Sequence, residues 1–207
     1  MLGACTSPEE LVVEEFLDAS RNHEVQNLAE LSTVPFPQPP RAWRLLEVSE
    51  EHVEDYALAS LREELDAMRK ERVKWHEELR RFRDRHSFDV ARFEAGPEHV
   101  GDEAEELFER WRTLERADDE LKSRLDELRR AVEREREGAR KSLVTWDPID
   151  EFDGRALVKE VLVVAELDDG SQQRFVITLK KYLLARPNDA SEPESRWVVM
   201  GVAASGY

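Results

Sequence analysis

The sequence predicts an α+β protein in which both chain ends build one domain and a long helical hairpin occupies the middle. Three observations carry that prediction. The first 31 residues repeat apolar side chains with a helical period, residues 49–143 repeat them at alternating steps of three and four, and the residues after 143 turn to β-branched alternation with tight-turn signals. The expected architecture is an antiparallel sheet packed on N-terminal helices, from residues 1–48 with 144–207, and an antiparallel coiled-coil hairpin from residues 49–143.

The helices at the start have identifiable ends. Ser7-Pro8-Glu9-Glu10 supplies an N-cap serine and a first-turn proline. Leu11, Val12, Phe16 and Leu17 then form one stripe, and Val25, Leu28, Ala29 and Leu31 form a second after a break near Ser20-Arg21-Asn22. The stretch VPFPQPPRAW places four prolines within six residues, which forbids helix and predicts an extended connector. Helix is expected to resume after Val48-Ser49.

In the middle, Leu58, Leu61, Leu65, Met68, Arg72, Trp75, Leu79, Phe82 and His86 keep heptad spacing. Ala104, Leu107, Trp111, Leu114, Asp118, Leu121, Leu125, Leu128, Val132, Glu135 and Ala139 keep it again. Gly96-Pro97 and Gly101-Asp102 between the two runs mark a turn and a fresh helix cap, so the runs read as the two arms of one hairpin. At 1.5 Å per residue each arm would reach roughly 55–60 Å. With the turn centred near Ala95, Arg72 falls opposite Asp118, the polar position in each seam, and a matched charge pair there would fix the alignment. Phe88, Val90 and Phe93 fall in the connecting turn, where they either stay exposed and mark a contact site for a partner or fold back and close the end of the coil.

The last third reads as strands. RALVKEVLVVAEL, the turn signal DDGS and QQRFVITLKKYLL form a hairpin of two long strands, with Phe175, Ile177 and Leu179 on one face and Arg174, Thr178 and Lys180 on the other. A polar loop, ARPNDASEPES, leads to a final strand in RWVVMGVAA with Trp197 and Val199 on one side. LVTWDPIDEFDG ahead of the first long strand is a short additional strand or an irregular lead-in.

Composition narrows the functional classes. Of 207 residues 38% are charged and the formal net charge is −16, which opposes nucleic acid or anionic lipid as a general partner. A single cysteine excludes an internal disulfide and any multi-thiolate metal site. No run of about 18 apolar residues is present to form a membrane-spanning helix. His76-Glu77 lacks the second histidine of a zinc-protease helix, because position 80 is Arg80. His52 and His99 sit at opposite ends of the expected hairpin and cannot share a metal. There is no glycine-rich phosphate loop and no Gly-x-Ser-x-Gly elbow. LRRFRDRH is locally basic, but the hairpin sets it opposite GDEAEELFER, so Arg81, Arg83 and Arg85 are expected to be neutralised by acidic neighbours. No catalytic set, metal or cofactor is therefore expected, and no nucleic acid.

Two resemblances bear on address and fold. Leu2-Gly3-Ala4-Cys5 resembles the lipobox of bacterial lipoproteins, in which a peptidase cuts before a cysteine that becomes lipidated. It implies a lipid anchor on Cys5, a signal peptide upstream of Met1, and a place in the bacterial cell envelope on its periplasmic or extracytoplasmic face. SPEELVVEEFLDASRNHEVQNLAEL together with RWVVMGV is similar to small secreted lipoproteins of the nuclear-transport-factor-like, cystatin-like superfamily. That resemblance implies a strongly bent antiparallel sheet following the helices, with the central hairpin as an insertion where the family has a third helix and its first strands. Many members bind small molecules in the cone between sheet and helices, and a few catalyse isomerisation or dehydration with an Asp-His or Tyr-Asp pair. The matching candidates here are Asp18, His23, Trp146, Tyr182 and Trp197, although the aromatic three also suit a packed core. The function expected is that of a membrane-anchored, non-enzymatic module that binds a protein partner, or a second copy of itself, through the helical arm. The alternative is a small-ligand binder using the cone.

Overall fold

The computed structural model describes residues 7–95, 104–145, 147–186 and 194–205. It is α+β. In chain order the elements are α1 (Pro8–Arg21), α2 (Val25–Leu31), β1 (Ala42–Val48), β2 (His52–Asp55), α3 (Leu58–Arg85), α4 (Ser87–Ala95), α5 (Glu105–Leu143), a 3₁₀ turn (Ile149–Glu151), β3 (Asp153–Glu166), β4 (Gln172–Ala185) and β5 (Val198–Ser205). Two compact units result, one from the described residues up to Ala59 with those from Glu133 onward, the other from Ser60–Val132.

The first unit is an antiparallel five-stranded sheet with helices. Helix α1 opens on a capping box, in which the Glu10 N–H donates to Ser7 Oγ at 3.3 Å and the Ser7 N–H donates to Glu10 Oε2 at 2.8 Å. Its buried stripe of Val13, Phe16 and Leu17 packs with Val161, Val163 and Ala165 of β3, Phe175, Ile177 and Leu179 of β4, and Val199 of β5. Strand alternation explains the selection, because residues two apart share a face. Phe36 completes this core from the proline-rich stretch, with ring centroids 6.1 Å from Phe16 and 4.8 Å from Phe175.

Two strands replace what the sequence predicts as connector and helix. Strands β1 and β2 both pair with β3, from Ala42↔Glu166 to Val48↔Val161 and from His52↔Val158 to Asp55↔Arg155. The interruption between them is bridged by Ser49, whose N–H donates to the Glu160 carbonyl at 2.8 Å while its Oγ accepts from the Glu160 N–H at 2.8 Å. The expectation of helix from Ser49 is thus corrected: His52–Asp55 is strand and helix begins at Leu58. All four residues of β2 are exposed, so it has no alternating burial to announce it and depends on the hydrogen bonds β3 offers.

The sheet changes its buried side along its length. Phe175, Ile177 and Leu179 bury toward α1, whereas further along β4 the buried residues are Tyr182 and Leu184, and on β3 Ala156 and Val158. That second face is covered by the last turns of α5, where Gly138, Ala139, Ser142 and Leu143 are buried. Gly138 allows the approach, since a Cβ there would overlap the Met200 side chain and stand 3.0 Å from the Tyr182 hydroxyl. Beyond Lys180, where pairing with β5 ends, the Tyr182 N–H donates to Ser142 Oγ at 3.0 Å. Gly154 opens β3 at φ +146°, and any side chain there would run into the Leu183 carbonyl of the paired strand.

The second unit is helical. The contacts between α3 and α5 run in opposite chain directions, Arg72 meeting Asp118 and Phe82 stacking on Trp111 at 6.0 Å. Leu65, Met68, Leu121 and Leu125 are buried along the same helices. Helix α4 corrects the reading of Phe88, Val90 and Phe93 as exposed turn residues. Val90 and Phe93 are 1% and 5% exposed and share a cluster with Phe82, Ala104, Trp111 and Leu114, while Phe88 is 75% exposed. Helical period is the reason: Val90 and Phe93 are three apart and share a face, and Phe88, two residues before Val90, does not.

Candidate functional site

Of the five residues implied by the family resemblance, the four described ones, Asp18, His23, Tyr182 and Trp197, are not brought together. Asp18 pairs with Arg21 at 2.8 Å and is half exposed at the rim of an open groove of about 500 Å³ between α1 and α2. His23 is exposed at a left-handed φ of 57° that turns the chain after α1. Trp197 is buried in the core beside Phe175 and Val199, with Lys159 Nζ 5.6 Å from its ring centre. Tyr182 is fully buried on the sheet face covered by α5. Trp146 lies outside the described residues, as does Cys5. The space between α1 and the sheet is filled by Phe16, Phe36 and Phe175.

A different polar group gathers on the second face of the sheet. Lys180 of β4 holds Glu54 of β2 at 2.9 Å and stands 3.7 Å from Glu135 Oε2 of α5. Glu135 is only 6% exposed, and among the described residues neither its Oε1 nor the buried hydroxyl of Tyr56 has a hydrogen-bond partner. Tyr56 and Tyr182 meet edge to face at 5.8 Å. Burial, and then the negative charge of Glu135, push both phenols far above the ordinary tyrosine value, so both stay protonated at any physiological pH. Neither phenol can act as a base or a phenolate nucleophile at neutral pH. The group joins three separate segments of chain, a structural role, and among the described residues no three His, Cys, Asp or Glu side chains converge to hold a metal.

Tyr182 is already a candidate through the family resemblance, but Glu54, Lys180 and Glu135 each look like surface charge in their own segments. Of these three Glu135 alone leaves a signal, as a carboxylate at a seam position of the heptad pattern.

On the core side, Lys159 pairs with Glu9 of α1, a carboxylate that is almost fully buried. Burial by itself pushes the Glu9 carboxyl up, but the hydrogen bond from Lys159 and those from Ser7 and the backbone outweigh it and hold the group below the usual range. Glu54 is lowered too, by its hydrogen bond from Lys180 against a smaller burial effect. A carboxyl lowered in the folded state contributes stability that is complete above its unfolded value, roughly pH 4.3, and is lost as pH falls through the folded value. Thermal melts of the sheet unit should therefore drop in temperature below that pH, and Lys159→Met should flatten part of the acid limb. An unchanged acid limb in that variant would show that the Glu9 pair contributes nothing.

In the helical unit, Arg72 Nε and Asp118 Oδ1 are 3.4 Å apart, the side chains 33% and 17% exposed. Arg72→Leu leaves the less exposed carboxylate without its cation and should cost about 1–2 kcal/mol, less than a fully buried pair because water still reaches the site. Arg72→Leu with Asp118→Leu should recover most of that loss in a denaturant melt. Additive losses in the double variant would mean that the two side chains act independently.

No helix among the described residues is long and apolar enough to cross a membrane. Comparison with protein-family models, with curated proteins and with solved structures finds no match.

Proposed function

We propose that this protein is a lipid-anchored, non-enzymatic binding module of the bacterial cell envelope, and that its helical unit Ser60–Val132 is the part that engages a protein partner or a second copy of the chain. One observation carries the reading. The core under α1 draws only on residues of the sheet unit, and the cluster around Phe82 and Trp111 draws only on residues of the helical unit. A segment that supplies a core of its own and no residue to the core under α1 is a long insertion with a task other than completing that core, and such insertions are usually functional.

In the same reading the helical unit is an antiparallel coiled coil inserted into a bent-sheet domain of the nuclear-transport-factor-like superfamily, and Cys5 carries the lipid. The two short helices ahead of an antiparallel sheet support the family assignment, and the opposed direction of the α3 and α5 contacts supports the coiled coil. The phenols, kept protonated by burial, and the filled core favour binding over catalysis.

Intact mass of protein taken from native membranes tests the anchor, the expected result being a diacylated Cys5 at the mature N-terminus. Crosslinking in intact cells tests the working surface. Replacing residues 60–132 by a short Gly-Ser linker should remove the crosslinked species and leave the sheet unit folded. An unmodified Cys5 preceded by Met1 would refute the anchor, and a crosslink that survives the deletion would move the contact to the sheet unit.

A further inference from the structure

Many arginines on the helices sit beside carboxylates, as Arg69 does with Asp66, Arg83 with Glu94 and Arg129 with Asp126. One cavity, however, has more arginines than carboxylates in its lining. Arg81, Arg85 and His86 at the end of α3 and Arg110 of α5 line a cavity of about 190 Å³ together with Glu78, and Phe82 and Leu114 complete its wall. Three guanidiniums against one carboxylate leave the lining at +2 with His86 neutral, on a chain whose net charge is −16. Arg81 also touches Glu77 at 3.4 Å, but that arginine is 71% exposed and a pair of that kind is weak and easily exchanged. Among the described residues Arg85 has no ion-pair partner, and Arg110 places its guanidinium 5.8 Å from the Phe82 ring centre.

The wall is firm as well as basic. Phe82 is buried, with His86 at 4.7 Å and Trp111 at 6.0 Å from its ring, so the arginines converge around a fixed aromatic side chain. Planar guanidiniums favour oxyanions that accept two parallel hydrogen bonds, and phosphate offers more such edges than a carboxylate does. A phosphate monoester carries about −1.5 to −2 at neutral pH and a lipid phosphodiester about −1, so this lining attracts either, the monoester more strongly.

We propose that this cavity binds a phosphate group, carried on a soluble phosphate or on the headgroup of an anionic lipid. The site stands independently of the anchor at Cys5 and of any protein partner. Phe88, the exposed aromatic two residues past His86, separates the two sources: a lipid surface would cover it and a soluble phosphate would not.

The test uses the full chain at low salt, with inorganic phosphate followed by calorimetry and with phosphatidylglycerol or phosphatidylcholine vesicles followed by sedimentation. Arg85→Gln with Arg110→Gln should weaken binding at least tenfold. A control, Arg129→Gln with Arg130→Gln, makes the same charge change about 30 Å further along α5 and should leave binding within twofold. Binding of inorganic phosphate that is lost in the first variant and unaffected by Phe88→Ser identifies a soluble ligand. Binding to phosphatidylglycerol alone, weakened by Phe88→Ser as well, identifies the headgroup. Should the double variant fail to fold, Arg85→Gln alone gives the same comparison. The proposal falls if neither probe binds, if the cavity variants bind as tightly as the parent, or if the control loses as much as they do.

Discussion

Phe93→Ser is expected to destabilise the helical unit by about 4 kcal/mol, and Phe88→Ser to leave it within about 0.5 kcal/mol. The two phenylalanines lie on one short helix, so propensity and local charge hardly differ between the variants. Burial does. Phe93 is enclosed by the cluster around Phe82 and Trp111 and meets Phe108 at 5.3 Å, so serine there removes a ring, leaves a cavity and buries a hydroxyl. Phe88 gives up only surface that water already reaches. Hydrogen exchange across α3–α5 reports the unit directly, which a global melt of a two-unit chain does not. Equal loss of protection in both variants would mean that Phe88 is covered in solution. The expected contrast reduces the apolar tip of the helical unit to Phe88 alone, since Val90 and Phe93 already have their partner within the chain.

Elements whose signal is local were legible in the sequence, and elements that depend on a distant partner were not. The N-cap serine and first-turn proline at Ser7-Pro8 and the long strands around Asp168-Asp169-Gly170-Ser171 are written in consecutive residues. Strands β1 and β2 are not: their exposed and half-buried residues give no clean alternation, and what holds them is the ladder to β3, more than a hundred residues later in the chain. The switch of the buried face between Leu179 and Tyr182 is equally remote, being set by the last turns of α5. Proline content misled in one respect, because it excludes helix at residues 35–40 without saying that a strand follows. Charge misled in another. LRRFRDRH reads as a stretch destined for neutralisation, and Arg81 and Arg83 do have carboxylate neighbours, but Arg85 and Arg110 turn to a shared cavity that only the pairing of α3 with α5 creates.

The second large effect belongs to Lys180, and its sign separates the two partners of one ion pair. Lys180→Met should cost about 3 kcal/mol, while Glu135→Leu should be neutral or stabilising. The lysine is the cation for two carboxylates, Glu54 at 2.9 Å and Glu135 at 3.7 Å, and the second of these is almost entirely shut off from water. Without Lys180, Glu135 keeps its desolvation cost and loses its nearest compensation. Removing Glu135 instead leaves Lys180 paired with Glu54 and eliminates an oxygen that has no hydrogen-bond partner among the described residues, a gain set against the lost hydrogen bond of the Tyr182 hydroxyl. Leucine at that position also continues the apolar face that Val132 and Ala139 present on α5. Urea melts of the two single variants decide the matter, and Glu135→Leu with Lys180→Met should be more stable than Lys180→Met alone. If Glu135→Leu costs as much as Lys180→Met, the hydrogen bond between the Tyr182 hydroxyl and Glu135 outweighs the cost of burying the carboxylate.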